Sequence, residues 1–223
     1  MRGAYRTVAR TARIRFEERR SVFHGMCAPI TDEESAVAFL GGIRAEFPDA
    51  THHVPAWILG GERRLQKHSD DGEPQGTAGL PVLEALIRRG VEDAALVVVR
   101  YYGGTQLGTG GLVRAYGQAA ALALDAAGVV EIAPCSVFRT TVRYADLDRV
   151  QRGLRATGTG LMDLSCGIDA EFTALVPMGA EAAFHRLLED LTAGSALFDP
   201  QGFASVSLDA KGIPERPLSR PRP

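Results

Sequence analysis

Two stretches of the sequence combine glycines with side chains that can bind anions or metals, or transfer protons. The first, Ser69–Gly79, reads SDDGEPQGTAG and holds the carboxylates Asp70, Asp71 and Glu73. The second, Arg100–Arg114, reads RYYGGTQLGTGGLVR and contains five glycines. Each stretch leads into an apolar pattern typical of a helix, and helix N-termini offer unpaired N–H groups to anions. Both loops are therefore candidate phosphate sites.

The second loop fails both standard nucleotide-binding patterns. A phosphate loop requires lysine after its last glycine, where Thr109 follows Gly108, and the dinucleotide pattern requires glycine where Val113 stands. Five glycines still permit close approach of a ligand or of a neighbouring element. Arginine and tyrosine suit phosphate and base contacts, although these side chains could equally be a core aromatic and an ion-pair member. The expected phosphate or nucleic-acid contacts are Lys67, Gly76, Thr77, Arg100, Tyr101, Gly103, Gly104, Gly108, Gly110, Gly111 and Arg114.

The carboxylates of the first loop have three possible uses. They could cap turns and helix N-termini, bind Mg²⁺ or Mn²⁺ through water, or act as acid and base. Thr77 is a candidate N-cap for the helix that follows. Because adjacent residues of a strand face opposite sides, at most one of His52 and His53 can join a given site. The possible metal or acid/base set is Asp70, Asp71, Glu73 and His53, and we expect no cofactor.

The segments around both loops predict an α/β sandwich over residues 1–133. The near-continuous apolar run Ala94–Tyr102 indicates a strand covered on both faces. Helices are predicted on either side of that strand by apolar residues at three- and four-residue spacing. Pro55 indicates an edge strand or a bulge at Thr51–Leu59, and residues 60–78 predict a long polar loop.

A second domain is predicted from Pro134 onward. Strand and helix patterns follow the order β-α-β-β-α-β over residues 134–208, which is the ferredoxin-like arrangement. Residues 209–223 contain four prolines without periodicity and predict a disordered tail. The fold class is therefore α+β, with an α/β sandwich followed by a ferredoxin-like domain.

Charge and cysteine content restrict the class of protein. The net charge of −2 excludes a polycation, so a nucleic-acid partner would meet a local patch. Residues 1–20 are the densest patch, with seven arginines against Glu17 and Glu18; a solvated edge strand would also carry such charges. Three separated cysteines predict reduced thiols in the cytoplasm. No apolar run approaches the roughly 20 residues that span a bilayer, so no membrane partner is expected.

The segments SDDGEPQGTAGLP and VVVRYYGGTQLGTGGLVRAYGQA, with HHVPAW upstream, resemble the IMPACT/YigZ family from about His52 to Gln118. The resemblance implies an N-terminal domain of the ribosomal protein S5 domain 2-like type and a C-terminal domain similar to the last domain of elongation factor G. Eukaryotic members relieve translational repression by binding the activator of an amino-acid-starvation kinase, and carry an extra N-terminal domain. For bacterial members the resemblance implies a nucleic-acid-binding or translation-linked role, without established catalytic residues.

Three functions are compatible with these observations. The favoured one is a translation-linked regulatory protein that binds RNA or the ribosome through the glycine-rich loops and their flanking arginines and tyrosines. The alternative is a metal-assisted enzyme acting on a small phosphorylated or nucleotide substrate, because the carboxylates lie beside an anion-binding loop. A module that binds a protein partner through the exposed loop is the third.

Overall fold

The computed structural model describes residues 2–61 and 64–217. The chain divides into two compact units, one formed by residues 6–130 and the other by residues 131–217 together with the N-terminal residues 2–5. Each unit contains an antiparallel sheet with helices packed on it. The predicted α+β fold class is confirmed.

The first unit contains a five-stranded antiparallel sheet and three helices. Strand β1 (Tyr5–Val8) lies where the chain divides and is not part of this sheet. The elements that follow in chain order are β2 (Ala12–Glu18), β3 (Ser21–Pro29), α1 (Glu33–Glu46), β4 (His52–Leu59), β5 (Leu65–His68), α2 (Gly79–Arg89), β6 (Ala94–Tyr101) and α3 (Thr109–Ala127). The sheet order is β2-β3-β6-β4-β5. The central strand is β6, which pairs with β3 on one side and β4 on the other.

Helices cover both faces of this sheet, as the predicted α/β sandwich requires. On one face, Leu96 and Val98 of β6 pack in a core with α2 and α3. On the other face, Val97 and Val99 pack against Ile43 of α1. The apolar run of β6 therefore lacks alternation because both of its faces are buried.

Two expectations about the segment before α2 are wrong. Strand β4 lies between β6 and β5, so Pro55 is not in an edge strand. The carbonyl oxygen of Pro55 accepts a hydrogen bond from Ser69 N–H (3.1 Å), just beyond the end of β5. The N–H and C=O of a strand residue point to the same side, so the N–H that Pro55 lacks would also lie beyond β5. Proline is therefore tolerated at this position. Residues 60–78 include β5, whose four residues, one apolar and three polar, carry too little periodicity to be recognised.

The second unit has the ferredoxin-like order. Its elements are β7 (Val129–Arg143), a 3₁₀ turn (Tyr144–Asp146), α4 (Leu147–Ala156), β8 (Gly160–Cys166), β9 (Asp169–Pro177), α5 (Glu181–Thr192) and β10 (Leu197–Leu208). The antiparallel strand order β10-β7-β9-β8 is the 4-1-3-2 order of a βαββαβ unit. Strand β7 begins at Val129, so Pro134, the predicted start of the second domain, lies inside this strand.

The expected disorder of the tail is wrong for residues 209–217. The Asp209 carboxylate accepts N–H groups from Lys211 and Ile213, both at 2.8 Å, which closes a turn. Strand β11 (Pro214–Pro217) then pairs antiparallel with β10. It forms an outer strand of the sheet, and edge strands tolerate proline because they leave N–H positions unpaired. Residues 218–223 lie outside the described residues.

Candidate functional site

The two glycine-bearing loops line one cleft of about 320 Å³ in the first unit. Glu73 and Pro74 come from the first loop. The strand β6 and the second loop supply the other lining residues, which are Arg100, Tyr102, Gln106, Leu107, Gly108, Thr109 and Leu112. The loops are 27 residues apart at Glu73 and Arg100, and the fold brings them together because β6 is the central strand and α2 packs on its face.

The floor of the cleft is a buried ion pair between Glu73 and Arg100. The Arg100 Nη1 atom lies 2.6 Å from Glu73 Oε1, and the two side chains are only 5% and 4% exposed. Arg100 also donates to Ser21 Oγ at 3.2 Å, and Tyr116 donates its hydroxyl to Glu73 at 2.7 Å. A buried charge requires a partner of opposite sign, so each charge here holds the other in place.

Burial and the hydrogen bond to Glu73 raise the pKa of Tyr116 far above its usual value. Its hydroxyl is therefore a permanent donor to the carboxylate at neutral pH. The His52 ring lies beside the same group, with Nε2 3.6 Å from Glu73 Oε1 and Nδ1 2.8 Å from the carbonyl oxygen of Asp71. His53, which the sequence placed in the site, instead points its Nε2 at the carbonyl of Phe47 (2.8 Å).

The Asp70 carboxylate occupies the N–H groups of the first loop that could otherwise bind an anion. Its carboxylate accepts N–H groups from Gly76 (2.9 Å), Ala78 (3.0 Å) and Gly79 (2.8 Å). Burial opposes ionisation, but these three bonds outweigh it and hold the pKa of Asp70 below its usual value. Asp70 therefore caps α2, whereas Thr77 donates its hydroxyl to the Pro74 carbonyl at 2.6 Å. The N-terminus of α2 is thus already occupied by a carboxylate of the chain itself.

The other carboxylates of the first loop are also engaged. Asp71 accepts from Arg44 Nη2 at 2.8 Å and from the backbone N–H of His53 at 2.6 Å. Among residues 2–61 and 64–217, no group of three or more His, Cys, Asp and Glu side chains is arranged to hold a metal ion. Because these oxygens already face N–H and guanidinium donors, the set Asp70, Asp71, Glu73 and His53 fits a metal ion poorly.

The second loop, in contrast, leaves its helix open. Helix α3 begins at Thr109 after Gly108, whose φ is 71° and which has no side chain to cap the helix. The first turn contains no acidic residue, and the first N–H groups of an α-helix lack partners within the helix. Gly110 and Gly111 belong to this turn. The positive end of α3 is therefore available to an anion.

Two arginines and one glutamate lie beside this open helix end. Arg19, Arg114 and Glu18 line a hollow of about 110 Å³ beside Gly111, and Arg19 Nε lies 4.0 Å from Glu18 Oε1. Arg19 and Arg20 form the two-residue turn between β2 and β3, with φ of 46° and 68°. Such turns favour asparagine and glycine because side chains with a Cβ are strained at positive φ. The hairpin therefore presents two arginines at a cost in backbone strain.

Gly103 is required by packing. A Cβ atom on Gly103 would lie 2.0 Å from the carbonyl oxygen of Arg20, so the loop can approach the β2–β3 hairpin only without a side chain. Its N–H also donates to Ser21 Oγ at 3.3 Å. Gly104 adopts a positive φ of 78°. These two glycines shape the loop and hold it beside the arginine turn.

Two of the expected contacts lie away from the cleft. Lys67 forms an ion pair with Glu33 of α1, and Tyr101 packs on the α1 face and donates to Asp49 at 2.8 Å. Tyr102 lines the cleft instead. Since strand residues alternate between faces, Tyr102 shares the side of Arg100, and this spacing could have selected it. The sequence gives no comparable signal for Tyr116, which is 43 residues from its partner Glu73.

Known proteins match the part of the chain that builds this cleft. The Impact N-terminal domain family model matches residues 19–124. The IMPACT family member YvyE of Bacillus subtilis is 36% identical over 75% of this chain and 77% of its own length. The IMPACT family member YigZ of Escherichia coli is 37% identical over 80% of this chain and 89% of its own. The chain belongs to the IMPACT family.

The IMPACT likeness extends over both units. A crystal structure of a protein described as hypothetical is 34% identical, with a TM-score of 0.59, over 89% of this chain and 97% of that one. The first unit is accordingly of the ribosomal protein S5 domain 2-like type and the second is ferredoxin-like. Among the described residues, no helix is both long and apolar enough to cross a membrane.

Proposed function

We propose that this IMPACT-family protein is a translation-linked regulator that binds RNA or the ribosome through the surface around the start of α3. The observation that carries the proposal is the open N-terminus of α3 together with Arg19, Arg20 and Arg114. We call this group the α3 anion surface. A cytoplasmic location follows from this role and is part of the proposal.

The charges of the α3 anion surface favour a polyanion. Helix N-termini are normally stabilised by acidic residues, yet the first turn of α3 has none. Within the described ranges, Arg114 has no ion-pair partner. Free N–H groups and guanidinium groups are the donors that proteins use to hold phosphates. A chain of phosphates would satisfy both sets of donors at once.

The strained hairpin supports the same conclusion. Left-handed backbone costs a residue with a Cβ about 1–2 kcal/mol, and such strain concentrates at functional sites. Arg19 and Arg20 both adopt it. The translational part of the proposal is supported by membership of the IMPACT family and by the ferredoxin-like unit, for which the family resemblance implies a similarity to the last domain of elongation factor G. Glycine-loop contacts through Gly108, Gly110 and Gly111 remain in the proposal, whereas Lys67 and Tyr101 do not.

The test is the salt dependence of binding to single-stranded RNA and to purified ribosomes. The logarithm of the association constant should fall linearly with the logarithm of salt concentration, with a slope of about −0.7 per phosphate contacted. Arg114→Gln should reduce that slope by roughly one contact. The control is Arg88→Gln, an exposed arginine of α2 that pairs with Glu84, which should leave the slope unchanged. Absence of binding at low salt, or a slope that Arg114→Gln does not alter, contradicts the proposal.

A protein partner would give a different result in cell lysate. If RNA or ribosomes mediate the association, nuclease treatment should release the captured components. Capture that survives nuclease and is insensitive to Arg114→Gln would instead support a direct protein contact.

A further inference from the structure

We infer that the cleft beside the α3 anion surface binds one unstacked nucleotide, with the base against Tyr102 and the phosphate at the start of α3. The inference rests on the proposed RNA-binding function and identifies a single nucleotide as the ligand of this site. It is carried by the shape of the cleft, by an exposed aromatic ring, and by two atoms without a hydrogen-bond partner among the described residues, the buried Arg100 Nε and the Glu73 Oε2.

The cleft has the size and walls of a small-ligand site. Its volume of about 320 Å³ falls at the lower end of the range of roughly 300–1,000 Å³ for such sites. Pro74, Leu107 and Leu112 give it an apolar wall. A flat, largely apolar ring can fill this space, whereas a duplex cannot enter it.

Tyr102 is a stacking platform for that ring. It is 47% exposed, unlike the aromatic residues of the core. The guanidinium carbon of Arg100 lies 5.4 Å from the centroid of the Tyr102 ring. The backbone N–H of Tyr102 donates to Thr51 Oγ1 at 3.1 Å. An aromatic ring fixed in this way can stack with any base, because every base has a π-face.

Glu73 and Arg100 leave polar atoms for an occupant. The hydrogen bonds from Arg100 and Tyr116 to the Glu73 carboxylate both end on Oε1, and among the described residues none ends on Oε2. The Nε atom of Arg100 is buried and has no hydrogen-bond partner among the described residues. Both side chains are more than nine-tenths buried and line the cleft. A carboxylate oxygen accepts the exocyclic amino group of cytosine, so bases with this group should be preferred to uracil.

The phosphate has donors at the mouth of the same cleft. Gly108 and Thr109 line it, and the uncapped first turn of α3 provides N–H groups. Gln106 adds a side-chain amide to the lining. The base site and the phosphate site are therefore joined within one nucleotide.

The experiment measures binding of cytidine monophosphate, uridine monophosphate, and hexanucleotides of each to the full chain. The two monophosphates differ at the position of the amino group, so the cytidine compound should bind more tightly. Tyr102→Ala should weaken cytidine binding by at least about fivefold, and Tyr102→Phe should retain it because the ring remains. Tyr144→Ala is the control, since Tyr144 is 62% exposed in the other unit.

The outcomes separate this inference from the proposed function. If hexanucleotides bind with a salt slope that depends on Arg114, but Tyr102→Ala has no effect, the nucleotide site is refuted and RNA binding stands. If the monophosphate binds in a Tyr102-dependent manner while RNA does not bind, the RNA proposal fails and the nucleotide site stands. Equal affinity for cytidine and uridine monophosphates would overturn the role of Glu73.

Discussion

At the scale of single residues, the acidic side chains of the first loop act as structural anchors. Asp70 holds three backbone N–H groups, Asp71 ties the loop to α1 and β4, and Glu73 neutralises Arg100. Each carboxylate therefore sets the position of a different element around the cleft. Of these three carboxylates, only that of Glu73 has an oxygen, Oε2, that accepts no hydrogen bond from the described residues.

The capping role of Asp70 can be tested by two substitutions. Asp70→Ala removes the acceptor of three N–H groups and should lower the free energy of unfolding by about 1–2 kcal/mol at pH 7. Asp70→Asn keeps an acceptor that cannot titrate. The folded-state pKa of Asp70 lies below its unfolded value of 3.8, so its charge stabilises the fold above that pH and this contribution is lost as pH falls through the folded pKa.

Urea unfolding from pH 7 down to pH 2 measures both effects. The wild type should lose more stability than Asp70→Asn as the pH falls below about 4. Parallel loss of stability in the two proteins over this range would show that the Asp70 charge does not stabilise the fold.

At the scale of elements, the two loop–helix junctions are both rich in glycine, but only the one before α2 has its helix N-terminus capped by a side chain of the protein. A carboxylate of the chain fills the start of α2, whereas the start of α3 is open and flanked by the arginine turn between β2 and β3. The distinction comes from one residue, Asp70, which reaches Gly79 across nine positions of the chain. We therefore propose that an anion in the cleft would be bound at the start of α3 rather than at the start of α2.

Substitutions in the turn of the β2–β3 hairpin should increase the stability of the fold and decrease its affinity for RNA. Replacing Arg19 by Asn and Arg20 by Gly places residues that favour positive φ in the two-residue turn. We expect the free energy of unfolding to rise by about 1 kcal/mol because the strain is relieved. RNA affinity should fall in the same protein, since two cations of the α3 anion surface are lost.

Thermal unfolding and RNA titration of this double variant give the two readouts, with Arg88→Gln as the binding control. A variant that gains stability and binds RNA as well as the wild type would show that the arginine turn has no binding role. Unchanged stability would show that the turn is unstrained.

At the scale of the whole molecule, each unit has its own hydrophobic core. In the second unit, β11 pairs with β10 and also contacts β8 and β9. Gly160 at the start of β8 is needed for this contact, because a Cβ there would lie 2.0 Å from the carbonyl oxygen of Pro214. Pro214 and Pro217, two of the four prolines that suggested disorder, therefore belong to a paired strand.

Ending the chain at Leu208 should destabilise the second unit. Three paired positions join β11 to β10. If each contributes one hydrogen bond of about 0.5–1.5 kcal/mol, their loss should cost roughly 1.5–4.5 kcal/mol. Hydrogen exchange should show faster exchange in β8 and β10 and no change in β6 and α3. A chain ending at Pro217 retains β11 and is the matched control; equal protection in the two truncated chains would contradict this role of β11.

The sequence by itself determined the elements and the fold class. Apolar periodicity is a local property, so it identified the two-faced strand β6, helix α2 from Gly79 to Arg89 and the βαββαβ order. Glycine spacing similarly located both loops. The short polar strand β5 and the proline-containing strand β11 were missed, because their pairing partners rather than their own residues stabilise them.

Only the tertiary structure decided which side chains meet in the cleft. Strand register placed His52 and Tyr102 on the side of Arg100, and their neighbours His53 and Tyr101 on the other. The same carboxylate pattern could have capped helices, bound a metal or transferred protons. For Asp71 and Glu73 the choice depended on Arg44, Arg100 and Tyr116, donors that lie 27 or more residues away in the chain. Those pairings are set by register and packing between distant segments, which no local pattern of residues encodes.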